Sequence, residues 1–164
     1  MSWRRHCALA SDTRVAGQEF AAVLRPGDVV LLSGRLGAGK TTFVQGVAIG
    51  LGVRERVTSP TFTMVRQHEC VNEAGISTLH HADVYRVASL GEVRDLDLGE
   101  LVEEAAVALV EWGEIAASVF GPAVLRVDVV LDDGEGRTLC VGGEVTPERA
   151  RDLDAWATVG ATRP

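Results

Sequence analysis

The residues whose types and spacing could do chemistry begin with Gly34-Arg35-Leu36-Gly37-Ala38-Gly39-Lys40-Thr41, followed by Thr42. This stretch fits the phosphate-loop pattern of a glycine, four residues and then Gly-Lys-Ser/Thr. A backbone that wraps a polyphosphate with successive N–H groups turned inward needs residues without a Cβ, because several of them take positive φ. Gly34, Gly37 and Gly39 supply that freedom. Lys40 would reach the terminal phosphates as a compact charge, and the Thr41 hydroxyl would ligate the Mg²⁺ that travels with a nucleoside triphosphate. Lys40 is also the only lysine in a chain whose other cationic side chains, apart from histidine, are arginines. Two acids stand out beyond the loop. Asp83 closes an apolar, histidine-containing run, and Glu111 follows the apolar run Ala105 to Val110.

Such a loop works only between a buried strand and a helix. The run Asp28 to Ser33 is short, apolar and β-branched, which predicts a strand buried on both faces. From Thr41 to Leu51 the apolar residues Phe43, Val44, Val47, Ala48 and Leu51 recur at helical spacing, and Gly52 is a plausible stop. Ahead of the loop, Ser11 or Asp12 can cap a helix running to about Leu24. Behind it, Thr58-Ser59-Pro60-Thr61-Phe62-Thr63 places hydroxyls around a proline that cannot continue a helix. Hydroxyls in this position suit either a Ser/Thr turn or a switch segment that follows the γ-phosphate or its Mg²⁺.

Further along, Phe62 to Cys70 and Thr78 to Tyr85 are predicted to form a hairpin about the polar turn Val71 to Ser77. The pair His80 and His81, next to Asp83, invites a zinc reading, but no further spaced ligand accompanies it. The stretch from Ser89 to Glu104 reads as a short helix and an acidic surface loop. Ala105 to Val110 is a buried strand, and a carboxylate at the C-terminal edge of such a strand is where an open parallel sheet meets its ligand. Val124 to Leu131 and Thr138 to Val141 are strands joined by the turn Asp132 to Gly136, and Pro147 to Ala157 is a helix capped by Thr146.

The chain has 164 residues, 46% of them hydrophobic and 24% charged, as expected of one soluble globular domain. We expect a single domain over 1–164, with its core at about 11–142 and a C-terminal helix and tail over 146–164. No apolar run has membrane-spanning length and no signal-type apolar core follows the first residues, which predicts a cytoplasmic protein. A net charge of −7 argues against a broad nucleic-acid surface. Cys7, Cys70 and Cys140 are odd in number and far apart, so they suggest neither a disulfide framework nor a zinc spacing.

With these residues laid out, the chain resembles the TsaE (YjeE) family of small phosphate-loop ATPases. Four stretches appear in family order: Gly34 to Thr42, Ser59-Pro60-Thr61-Phe62-Thr63, His81-Ala82-Asp83-Val84-Tyr85-Arg86 and Val110-Glu111-Trp112. The resemblance implies an α/β fold of the P-loop NTPase-like, three-layer α/β/α kind, with a mainly parallel central sheet and antiparallel edge strands. It implies binding of ATP and ADP with Mg²⁺ through Gly37, Ala38, Gly39, Lys40, Thr41 and Thr42. Thr41, Glu111 and Asp83 are the implied metal ligands, and Lys40, Asp83 and Glu111 the implied catalytic residues. Ser59, Pro60, Thr61 and Thr63 are the implied switch-like segment, and Thr13 and Trp112 would lie near the nucleotide. Arg86 would serve either a partner or a phosphate. The family usually has Pro after the Glu-Trp pair, where this chain has Gly113, which bears on the stiffness of that turn. The resemblance further implies partners TsaB and TsaD, with tRNA reached indirectly through them and no membrane. The implied function is the ATPase that supports threonylcarbamoyl transfer to the adenosine beside the tRNA anticodon.

Two other activities fit a phosphate loop. A small-molecule kinase could recruit Arg54, Arg56, Arg66 or Arg86, although no lid-like insertion is visible. A nucleotide-gated binding module would share the loop without appreciable turnover. A GTPase of the common type needs an Asn-Lys-x-Asp sequence, and the only lysine is already in the phosphate loop.

Overall fold

A computed structural model describes residues 2–60, 64–85, 90–95, 97, 100, 102, 104–112, 114, 117–121 and 123–159. Seven strands form one sheet in the order β1-β7-β6-β2-β5-β4-β3. They are β1 (Ser2–Cys7), β2 (Val29–Ser33), β3 (Val65–Glu69), β4 (Thr78–Asp83), β5 (Ala106–Glu111), β6 (Leu125–Leu131) and β7 (Arg137–Gly142). The inner four, β6, β2, β5 and β4, are mutually parallel. Antiparallel pairs close both sides, β3 on β4 at one edge and β7 then β1 beyond β6 at the other. This is the mainly parallel α/β sheet with antiparallel edges that the resemblance implied.

The helices are α1 (Ala10–Phe20), α2 (Lys40–Gly50), α3 (Leu90–Asp95), α4 (Ala117–Phe120) and α5 (Pro147–Val159), with a 3-10 turn at Ala21–Val23. Strand residues alternate between faces, and two apolar layers result. On one face Val30, Leu32, Leu79, Leu109 and Val127 pack against Phe20 of α1, Phe43 and Val47 of α2, and Leu153 and Trp156 of α5. On the other, Leu31, Ala82, Ala108 and Val110 are covered by Val102 and by Ala117, Val119 and Phe120 of α4.

Two features differ from the sequence reading. The helix capped by Ser11 or Asp12 begins earlier, with Leu9 as its cap; Asp12 lies inside the first turn, where its Oδ2 accepts the Leu9 N–H at 2.9 Å. The sheet also continues outside 11–142, because β1 pairs with β7 along its whole length, from Ser2↔Gly142 to Cys7↔Arg137. Trp3, Arg5 and Cys7 point inward from β1. Arg5 is only 5% exposed, and it donates to Glu19 at 2.5 Å and to the Trp156 carbonyl at 3.1 Å. These bonds satisfy a buried guanidinium that would otherwise be costly to place there.

Helices α1 and α2 cross at backbone contact. A Cβ on Gly17 would overlap the Phe43 carbonyl oxygen, and one on Gly46 would overlap that of Arg14. This crossing seats the helix that starts at Lys40 directly against the helix that carries Thr13.

Candidate nucleotide site

The loop from Gly34 to Gly39 leaves the end of β2 and enters α2 at Lys40. Gly39, the residue capping α2, has φ 111°, in the left-handed region that a side chain would strain. Gly34 has φ 139° and sits against the Val129 backbone, so it meets both demands at once. The free N–H groups of a helix start face the loop and favour an anion there.

Lys40 is 4% exposed, and its Nζ donates to the carbonyls of Gly34 at 2.7 Å and Arg35 at 3.0 Å. The same ammonium lies 4.0 Å from the centre of the Trp112 ring. Burial pulls its pKa below the ordinary 10.5, while the carboxylates of Glu111, Asp83 and Glu114 act in the opposite direction. Trp112 reaches this place through a backbone at φ 60°, with its N–H bonded to the Leu32 carbonyl at 2.8 Å. Strain of that kind collects where a side chain must be aimed. Tyr85 packs on the outer side of Trp112, ring centres 4.6 Å apart.

Below the loop, the parallel register of β4 and β5 sets Asp83 beside Glu111. Alternation turns His81, Asp83 and Glu111 to the face that carries α2. Glu111 is 3% exposed; its Oε1 accepts the Thr41 hydroxyl at 2.8 Å and His81 Nε2 at 2.7 Å. Asp83 accepts the Ser59 hydroxyl at 3.4 Å and the Tyr85 N–H at 2.9 Å. A cavity of about 480 Å³ opens over this group, walled by Gly37, Gly39, Lys40, Thr41 and Thr42, by Ser59 and Pro60, and by Asp83, Glu111 and Trp112.

Most of the sequence-derived residues therefore meet in one place. Ala38 is buried beneath the loop rather than facing the cavity. Thr13 is fully buried behind the loop, its methyl 3.8 Å from where a Gly39 Cβ would lie, so it supports the loop from α1. Thr61, Phe62, Thr63, Arg86 and Gly113 fall outside the described residues. Of the arginines considered for a kinase, Arg54 and Arg56 line other clefts, and Arg66 is exposed on β3.

Three residues escaped the sequence reading. His81 stands in the sequence as one of a histidine pair and at the head of the stretch His81 to Arg86, neither of which gives it a role, yet it holds Glu111. Arg137 reads as a turn-flanking residue, yet its Nη1 lies 3.1 Å from a Gly39 Cβ position. Gln45, one turn into α2, donates to the Val57 carbonyl at 3.0 Å and so ties α2 to the segment leading into Ser59 and Pro60. His81 carried a signal in its place at the head of that stretch, and Arg137 one as an arginine directly after a Gly-rich turn at the start of a strand, while Gln45 carried none.

Fold and site together define a three-layer α/β protein built like the phosphate-loop nucleoside triphosphatases. A family model described as "Threonylcarbamoyl adenosine biosynthesis protein TsaE" matches residues 7–139. The chain belongs to the TsaE family. It is 43% identical over 126 residues to the tRNA threonylcarbamoyladenosine biosynthesis protein TsaE of Treponema pallidum, covering 76% of this chain and 90% of that one. To the protein of the same name from Streptomyces coelicolor it is 48% identical over 102 residues, 62% of this chain and 67% of the relative. The crystal structure of Bacillus subtilis YdiB superposes with a TM-score of 0.71 at 26% identity, over 97% of this chain and 96% of that one. Among the described residues, no helix is long and apolar enough to cross a membrane.

Proposed function

We propose that this chain binds ATP and ADP with Mg²⁺ in the cavity over the phosphate loop and hydrolyses ATP slowly on its own. In this reading it supports, with TsaB and TsaD, the transfer of a threonylcarbamoyl group to the adenosine beside the tRNA anticodon. The observation that carries the reading is the 2.8 Å bond between Thr41 and Glu111, which joins the loop helix to a strand-end carboxylate 70 residues away, next to a buried lysine. The donor set fits the metal. A hydroxyl and one or two carboxylates are hard oxygen ligands that leave room for waters and phosphate oxygens, as Mg²⁺ requires. Among the described residues no three His, Cys, Asp or Glu side chains converge into a protein-only cage.

Thr41 and Glu111 would hold the Mg²⁺, with Asp83 at its margin. When bound, the ion supplies neutralisation of charge on the phosphate oxygens. Lys40 would exchange its bonds to the Gly34 and Arg35 carbonyls for the terminal phosphates. The loop N–H groups and the start of α2 would hold the rest of the polyphosphate. Glu111 is buried and taken up by the metal in this reading, whereas Asp83 is half-buried in the cavity wall, so Asp83 is the better placed acid to orient the attacking water. The Ser59 hydroxyl touches that same acid. Loss of the γ-phosphate would therefore reach the Ser59–Pro60 segment first and alter the surface offered to partners. Arg137 lies along the other flank of Gly39 and would add a positive charge beside the bound phosphates.

The test is ATP turnover by the purified chain, alone and with TsaB, TsaD and tRNA, comparing wild type, Lys40→Ala and Glu111→Ala. Lys40→Ala abolishes tight nucleotide binding and turnover, and Glu111→Ala removes the stimulation by partners. Full turnover in Lys40→Ala refutes the site. Tight binding without partner stimulation refutes the assignment to threonylcarbamoyl transfer.

A further inference from the structure

Glu111 is gripped from two sides, and the second grip does not belong to the phosphate loop. His81 sits on β4 with no exposed surface, and its Nε2 lies 2.7 Å from Glu111 Oε1. The carboxylate accepts, so the proton of that bond is on Nε2. The other ring nitrogen, Nδ1, is buried without a hydrogen-bond partner among the described residues. A buried polar atom left unpaired is unfavourable. Its neighbours in the same layer are apolar, Leu79 two residues earlier on β4 and Leu109 across on β5, both fully buried. Packing alone therefore calls for an apolar side chain at position 81. What histidine adds is one bond, and that bond goes to Glu111.

We infer that His81 is a positioning residue for Glu111, fixing the carboxylate from the strand side while Thr41 meets it from the helix side. The inference rests on the reading of Glu111 as a Mg²⁺ ligand. The Thr41 hydroxyl rotates about one torsion and must share its oxygen with the ion in that reading. The imidazole is fully buried, and its bond to Glu111 need not be given up to the ion. Groups that orient a metal ligand in this way change metal affinity by about 10- to 100-fold when removed. His81 thus sets the Mg²⁺-dependent share of nucleotide affinity, not the affinity of the loop for phosphate.

The experiment is calorimetric titration of the full chain with ADP, in excess Mg²⁺ and in EDTA. It uses wild type, Glu111→Gln, His81→Leu, which fills the space without a donor, and His81→Gln, which restores an N–H near the Nε2 position. The ratio of the two affinities falls about 10- to 100-fold in His81→Leu. It recovers in His81→Gln, and the affinity in EDTA stays within about twofold in both. A purely structural role would lower both affinities together or neither. If Glu111→Gln loses the Mg²⁺ effect and His81→Leu keeps it, the inference is wrong and the nucleotide site stands. The inference also fails if His81→Leu unfolds and folded His81→Gln loses both affinities equally. Wild type with no ADP binding in either buffer overturns both.

Discussion

Replacing Gly46 by alanine tests the crossing that seats the phosphate-loop helix. The added Cβ would overlap the Arg14 carbonyl oxygen and lie 2.9 Å from both the Arg14 carbonyl carbon and the Gln18 nitrogen. All three are backbone atoms of α1, so no side chain can swing aside and the helices must separate. Overpacking of a filled core costs about 1–3 kcal/mol where side chains can adjust; backbone against backbone belongs at the upper end, about 3 kcal/mol or more. Alanine returns about 1 kcal/mol through its better helix propensity. The net loss is then about 2 kcal/mol or more, which in a domain of this size lowers the melting temperature by about 4–8 °C or more. Thermal unfolding followed by circular dichroism measures it, with Gly142→Ala as the control. At Gly142 a Cβ meets nothing within 4 Å, and the change should be within about 0.5 kcal/mol. Because Thr13 rests behind Gly39 and α2 begins at Lys40, separation of the helices should also weaken ADP binding. A Gly46→Ala protein that melts within a degree of wild type would refute the argument, since it would mean that the helices do not meet at their backbones.

Two further predictions concern ionisation. The Lys40 pKa is held below 10.5 chiefly by burial. The folded state therefore bears a cost for the charge that is present below the folded pKa and disappears as pH rises to 10.5. Without nucleotide, Lys40→Met should melt no lower than wild type at pH 7, and any advantage should shrink by pH 10; a variant clearly less stable at pH 7 contradicts this. The Cys70 thiol is pushed up from 9.0 to about 11 by burial. Stability from keeping that thiol neutral is complete below pH 9 and lost as pH rises to about 11, worth at most about 3 kcal/mol. Cys70→Ala should flatten the fall in melting temperature over that window, and an unchanged slope would show that other groups govern it.

The parallel centre of the sheet was legible because strands buried on both faces read as unbroken apolar runs, as Val29 to Leu32 and Ala106 to Val110 do. The phosphate loop was legible because glycine spacing and a lone lysine are local signals. β1 was not, since its buried residues include Arg5, whose partners Glu19 and Trp156 lie 14 and 151 positions away. The facing of Glu111 was also out of reach. A strand-end carboxylate can turn to water or inward, and the donors that decide it, His81 and Thr41, are 30 and 70 residues distant. The close approach of α1 and α2 shows in the sequence only as Gly17, Gly46 and Gly50 at helical positions, which by themselves read as weak points of a helix.

The solitary lysine has a consequence for how the loop's motion can be followed. A protease that cuts only after lysine has a single bond to act on in this chain, Lys40–Thr41, at the boundary between loop and helix. With the side chain buried and its ammonium bonded to two loop carbonyls, that bond is presented to an enzyme only when the loop unwinds. Cleavage into fragments 1–40 and 41–164 is therefore a direct clock for opening of the phosphate loop, read on a gel without any label. A ligand that closes the loop slows that clock in proportion to its occupancy.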